Sequence, residues 1–165
     1  MATDFAVVIR VRHQFGDEQR DRGEVLVDHE APFVGAAGDF PFVCPDVDPS
    51  EEAILEFQYR GSIQYLTFPD PSGDQLVGIT PEHPVFINGQ ELAGGVPAGP
   101  RWGDMPLWSS RLLPIRAGVL REDNVLRIES SAAVLYEGFD NFTIDNAVVI
   151  FKTRAPGVGP TPGKL

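Results

Sequence analysis

Cysteine is almost missing from this sequence. Cys44 is the only one in 165 residues, so no intramolecular disulfide is available. Its setting in F-V-C-P-D, between Phe42-Val43 and Pro45, points to a buried, inert thiol. Lysine is scarce as well: Lys152 and Lys164 are the only two among 13 basic residues, set against 24 acids, for a net charge of -11. With no basic cluster, a nucleic-acid groove is excluded, because phosphate binding needs a basic stripe. The same charge opposes docking on an anionic membrane. No apolar run approaches the ~20 residues that span a bilayer. Met1-Ala-Thr-Asp4 lacks the basic start and apolar stretch of a secretory signal. The cytoplasm is therefore the expected compartment, with export by a non-classical route or release by lysis left open.

Familiar catalytic patterns are missing too. His13, His29 and His83 are scattered, with no H-E-x-x-H, and the chain has no G-x-S-x-G and no phosphate loop. A carboxylate pair for glycoside hydrolysis is not legible in a sequence, since its ~5–9 Å separation is set in space. The expectation is a protein that is not an enzyme.

What is plentiful is punctuation. Gly 17 and Pro 15 together make up nearly a fifth of the chain and cut it into many short elements. Several of these alternate with period 2. The first, from Asp4 to His13, is expected to put Phe5, Val7, Ile9 and Val11 on one buried face, with Arg10 and Arg12 on the other. Gln14 to Gly23 reads as a loop, Glu24–Asp28 as a short strand, and Ala31 to Pro49 as irregular structure. Ala53, Leu55, Phe57 and Tyr59 then share one side of a strand, and Ile63–Phe68 follows a Gly-Ser turn. Asn88-Gly89 inside Pro84–Leu92 predicts a type I′ hairpin, because both residues tolerate positive φ. Ala93 to Trp108 reads as a long loop, and Pro114 places Arg111–Arg116 at a sheet edge or bulge. Phe142–Lys152 closes the series with a strongly β-forming run. The expected fold is all-β: an antiparallel β-sandwich or jelly roll of about eight strands in one domain, residues 1–154. Residues 155–165 form a Pro/Gly-rich tail, expected to be flexible or to serve as a docking arm.

In R-E-D-N-V-L-R-I-E-S, Arg121 to Asn124 makes a polar turn in which Asn124 hydrogen-bonds local backbone or takes a left-handed conformation. Leu126 and Ile128 then face inward against Arg127 and Glu129. With the preceding I-R-A-G-V-L, this stretch resembles the leucine, turn, asparagine, strand signature of galactose-binding-like jelly-roll domains, a family that includes the sugar-binding accessory modules of glycoside hydrolases. V-F-I-N-G-Q-E-L is similar to the hairpin of such domains. Tyr136 to Lys152 resembles their closing strand, which commonly pairs beside the first. The likeness covers residues 50 to 153 in order and spacing, and implies the jelly-roll fold with first and last strands adjacent.

A sugar presents flat C–H faces to aromatic rings and hydroxyls to polar side chains. Trp102 and Trp108, with Arg101 and Asp104, lie in one loop, while Tyr136, Asp140 and Asn141 lie in another that reaches the same end of a sandwich. These seven residues form the expected carbohydrate site, against the alternative that the tryptophans plug the sandwich end. The acids Asp46, Asp48, Glu51, Glu52, Asp140 and Asp145 raise the option of a structural calcium, although no EF-hand spacing is present. No other cofactor is expected. Two functions follow: a non-catalytic, lectin-like carbohydrate-binding module, or a structural β-sandwich that packs into a homo-oligomer or larger particle.

Overall fold

The computed structural model of the chain describes residues 2–16, 31–61, 65–69, 75–79, 82–99, 101–102, 105–132 and 139–154. The expected strand at Glu24–Asp28 and the tail 155–165 lie outside these residues. The described strands, in chain order, are β1 (Ala2–Ile9), β2 (His13–Phe15), β3 (Phe33–Gly35), β4 (Ala37–Val43), β5 (Ala53–Arg60), β6 (Tyr65–Pro69) and β7 (Gln75–Ile79). They continue with β8 (Val85–Ile87), β9 (Gln90–Glu91), β10 (Arg101–Trp102), β11 (Met105–Pro106), β12 (Ser109–Ile115), β13 (Asp123–Glu129) and β14 (Phe142–Thr153). The chain is all-β, as its punctuation implies. Several of these elements are only two or three residues long, which is why turn spacing alone counts fewer.

The larger sheet runs β12-β5-β14-β2-β3, with β1 also on β14; the smaller runs β4-β13-β8-β9. Among the described residues all pairings are antiparallel except β2 with β3. The first and last strands lie side by side, with Phe5 opposite Ile150. Between the two sheets lies one core containing Leu55, Phe57, Ile87, Leu126, Ile128, Phe142 and Val149. β5 follows its alternation faithfully: Ala53, Leu55, Phe57 and Tyr59 are buried, and the residues between them face out. In β13, Asn124, Leu126 and Ile128 are buried by the same rule. Among the described residues β12 pairs only with β5, which puts Pro114 on an edge strand, where a missing N–H is tolerated.

Four expectations are corrected. Gln14 and Phe15, expected in a loop, belong to β2, and the expected loop from Ala93 to Trp108 contains the β10–β11 pair. Residues 31–49 are not irregular throughout, because β3 and β4 lie within them. Gly38 and Pro41, two of the residues that suggested a loop, sit in β4 at the sheet edge, where Pro41 faces solvent and Phe42 enters the core. The inward face of β1 also differs, with Ile9 buried as expected but Phe5, Val7 and Val11 turned outward. Ala6 is buried as well, and Val8 packs against the core. The register shifts between Val7 and Ile9, so the extra residue of a β-bulge switches side-chain parity mid-strand. Phe5 and Ile9, read from the sequence as one face, therefore lie on opposite faces.

Candidate functional site

The Asn88-Gly89 turn has φ angles of 53° and 80°, as a type I′ hairpin requires. Its asparagine is tied to the turn before β13. Asn88 Nδ2 donates to Val119 O and to Asn124 Oδ1, both at 2.8 Å, and Asn88 Oδ1 accepts the Val125 N–H at 3.0 Å. Asn124 Oδ1 also accepts the Arg121 N–H at 2.9 Å, and its Nδ2 returns a bond to Arg121 O at 2.7 Å. Asn124 thus works as a buried local cap, one of the two roles its position suggested.

The loop end of the sandwich holds part of the expected carbohydrate site. Trp108 precedes β12 and is 38% exposed, with the Arg60 guanidinium carbon 5.0 Å from its ring centroid. Arg60 opposes Thr143 in β14, so Trp108 stands at the same end of the sheet as Asp140 and Asn141. Those two residues are buried, however. Asp140 Oδ2 lies 3.0 Å from His83 Nε2, and His83 is fully buried. The Ser131 N–H donates to His83 Nδ1 at 3.0 Å, which leaves Nε2 as the protonated nitrogen that donates to the carboxylate. The imidazole stacks on Phe142 at 4.3 Å, and Phe142 stacks on Phe15 at 5.0 Å. Ser130 Oγ donates to Asp140 O at 2.6 Å. A serine, a histidine and an aspartate thus meet, but as a tie between loops: Ser131 Oγ bonds Glu82 O instead of the imidazole. Arg101 and Trp102 open a short hairpin, Arg101 opposite Pro106 and Trp102 opposite Met105, and only their backbone is described. Asp104 and Tyr136 lie outside the described residues.

The acids expected near calcium are dispersed. Asp46 occupies a turn at φ 55°, and Asp48 accepts both the N–H and Oγ of Ser50. Asp145 accepts the Asn146 N–H. Among the described residues, no three His, Cys, Asp or Glu side chains group closely enough to hold a metal.

A feature that sequence reading missed lies on the outer face of the larger sheet. Registers align Pro114, Ile54, Ile150 and Phe5 in one row across β12, β5, β14 and β1. The next row holds Leu112, Glu56, Val148 and Val7. Phe5 is 64% exposed, Leu112 61% and Ile54 43%, so seven apolar side chains and one carboxylate form a shallow patch facing water. A signal was available: F-A-V-V-I, R-L-L-P-I and A-V-V-I-F are apolar at both parities, the pattern of strands covered on both faces. The outer face of the smaller sheet differs. Arg127 bonds Asp39 at 3.0 and 3.2 Å and Glu129 at 2.6 Å, beside a groove of about 310 Å³ lined by Pro41, Val43 and Val125. Glu129 and Asp39 together push the Arg127 guanidinium further above its already high range.

No protein-family model matches the chain, and no curated protein matches it significantly. Among the described residues no helix is long and apolar enough to cross a membrane.

Proposed function

We propose that this chain is a structural, non-catalytic β-sandwich that works by packing the outer face of its larger sheet against another protein surface. The observation that carries this reading is the patch built from Phe5, Ile54, Leu112, Pro114, Val148 and Ile150, continuous across four strands. Contiguous exposed apolar surface of this kind marks interaction sites, whereas scattered apolar residues do not. In a cell extract the chain should sediment well above its 18.0 kDa monomer mass. Ile54→Glu/Leu112→Glu should shift it to the monomer position without altering its circular dichroism. A wild-type chain that sediments as a monomer in the extract would overturn the reading.

A second reading, the carbohydrate-binding module, draws support from the exposed ring of Trp108 beside the Arg101–Pro106 hairpin and from the likeness to galactose-binding-like domains. Arg60 over the Trp108 ring and the engagement of Asp140 with His83 weigh against it. Tryptophan fluorescence titrated with a panel of mono- and oligosaccharides, with and without calcium, decides it. A saturable shift that Trp108→Ala removes would favour the lectin-like module over the assembly role.

A further inference from the structure

The charge on the apolar face differs from that of the whole chain. Among the described outward side chains of β12, β5, β14 and β1, the charged ones are Glu56, Asp145, Arg60 and Lys152, two of each sign, whereas the chain carries -11. Two strongly acidic bodies repel one another, and they do so least where they meet through a neutral surface. The face is also sizeable. Four strands at about 4.8 Å, over the seven residues of β12 at about 3.3 Å each, give a planar footprint of roughly 440 Å² before side-chain relief is counted. That flat area is about half the ~800 Å² per partner buried in a stable complex, and the relief of Phe5, Leu112 and Ile54 adds to it.

Within the four strands, the charges next to the central row are one of each sign, while Asp48, whose N–H bonds Lys152 O, and the exposed Glu52 flank the Lys152 side. Glu56 lies one row to one side of Pro114–Ile54–Ile150–Phe5, and Lys152, which opposes Thr3, lies one row to the other side. We propose that the occupant of this face is a second copy of the same chain, related by a two-fold axis running along that row. Such an axis exchanges the two sides of the row. Projected on the sheet plane, Glu56 of one protomer then lies about one strand spacing from Lys152 of its partner, the two long side chains reach toward each other across the gap between the sheets, and the pair forms twice by symmetry. The apolar row packs on its own copy between them, in the manner of aligned sheets stacked ~10 Å apart. This proposal rests on the assembly reading above and adds the identity of the partner and the axis.

The test is sedimentation velocity on the purified full chain over a concentration series. A species of twice 18.0 kDa is expected, and it should tighten as salt rises toward about 1 M, where the screening length falls to about 3 Å and the net charges no longer repel. Ile54→Glu/Leu112→Glu should weaken self-affinity by at least about a hundredfold, since two carboxylates at position 54 then face each other on the axis and the apolar surface beside it is lost. Val125→Glu, on the opposite sheet, should leave it unchanged. Glu56→Lys and Lys152→Glu should each loosen the dimer, and the double reversal should restore it. A purified chain that stays monomeric at every concentration and salt overturns the second copy. If the cell extract nevertheless holds it in a larger species that Ile54→Glu/Leu112→Glu releases, the assembly reading stands alone; if the extract too shows only monomer, both fall. A dimer broken by Val125→Glu and not by the Ile54/Leu112 variant overturns the face, and failure of the double reversal to restore affinity overturns the axis.

Discussion

His83 Nε2 and Asp140 Oδ2, 57 residues apart in sequence, meet at 3.0 Å in the interior, with the imidazole fully buried and stacked on Phe142. The bond fastens the segment leading into β14 to the segment leading into β8. The two partners are not equivalent. Asp140→Ala leaves the imidazole N–H without its acceptor, a loss of about 1–3 kcal/mol. His83→Ala removes a donor from a buried carboxylate and empties a stacked ring site, a loss of about 3–5 kcal/mol. Asp140→Asn keeps an acceptor oxygen and should fall nearest the wild type. Urea denaturation of the three variants checks the order, and equal or negligible losses would contradict this account.

Asn88 and Asn124 couple the β8–β9 hairpin to the turn before β13. Asn88→Gly keeps the positive φ of the turn and loses only the side-chain bonds, so it should be milder than Asn88→Ala, which loses both. Asn124→Ala should remove about 1–2 kcal/mol, because it takes away the side-chain partner of the part-buried Arg121 N–H and C=O. A double-mutant cycle on the pair should return a coupling of roughly 0.5–3 kcal/mol. Simple additivity would mean that the contact contributes nothing.

Burial, with a smaller contribution from Asp4, pushes the Cys44 thiol up to about 12 from its ordinary 9.0. A folded thiol should therefore resist a thiol reagent at pH 8 and react fully in denaturant; rapid labelling of the native protein would refute its burial. The sign for stability follows. Between 9.0 and about 12 the folded state holds a proton that the unfolded state has released, so stability is complete below pH 9 and declines as pH rises above it. On the acid side, hydrogen bonds from Ser50 Oγ and the Ser50 N–H, with Arg154 nearby, hold Asp48 below its ordinary 3.8. Its contribution is present above that value and fades as pH falls through it. Thermal melts across pH should show loss at both ends.

Gly16 is required where it stands. Its φ is +120°, and a Cβ there would meet Asn141 Oδ1 and lie 2.7 Å from the Asp140 carbonyl oxygen. Gly16→Ala should destabilise by more than about 1 kcal/mol, since backbone cannot yield as a flexible side chain would. The melting temperature reads this directly, and a wild-type value would show that the segment before β14 is free to move.

The sequence by itself determined the all-β character, the inward faces of β5 and β13, the Asn88-Gly89 turn and the edge position of Pro114. Each of these is a local matter of period, turn chemistry or a missing N–H. It also indicated that Cys44 is buried, from its apolar neighbours. Only tertiary structure decided which way β1 faces, because one bulge residue reverses every side chain beyond it without changing the composition of the strand. Tertiary structure likewise paired His83 with Asp140, drawing a residue expected to meet a ligand into the interior. The apolar row from Pro114 to Phe5 was equally beyond reach, since it takes one residue from each of four strands and exists only once their registers are fixed. Local pattern specifies the strands; which strands neighbour one another, and in what register, is settled by long-range packing of their faces, and the surface a partner meets is a product of that packing.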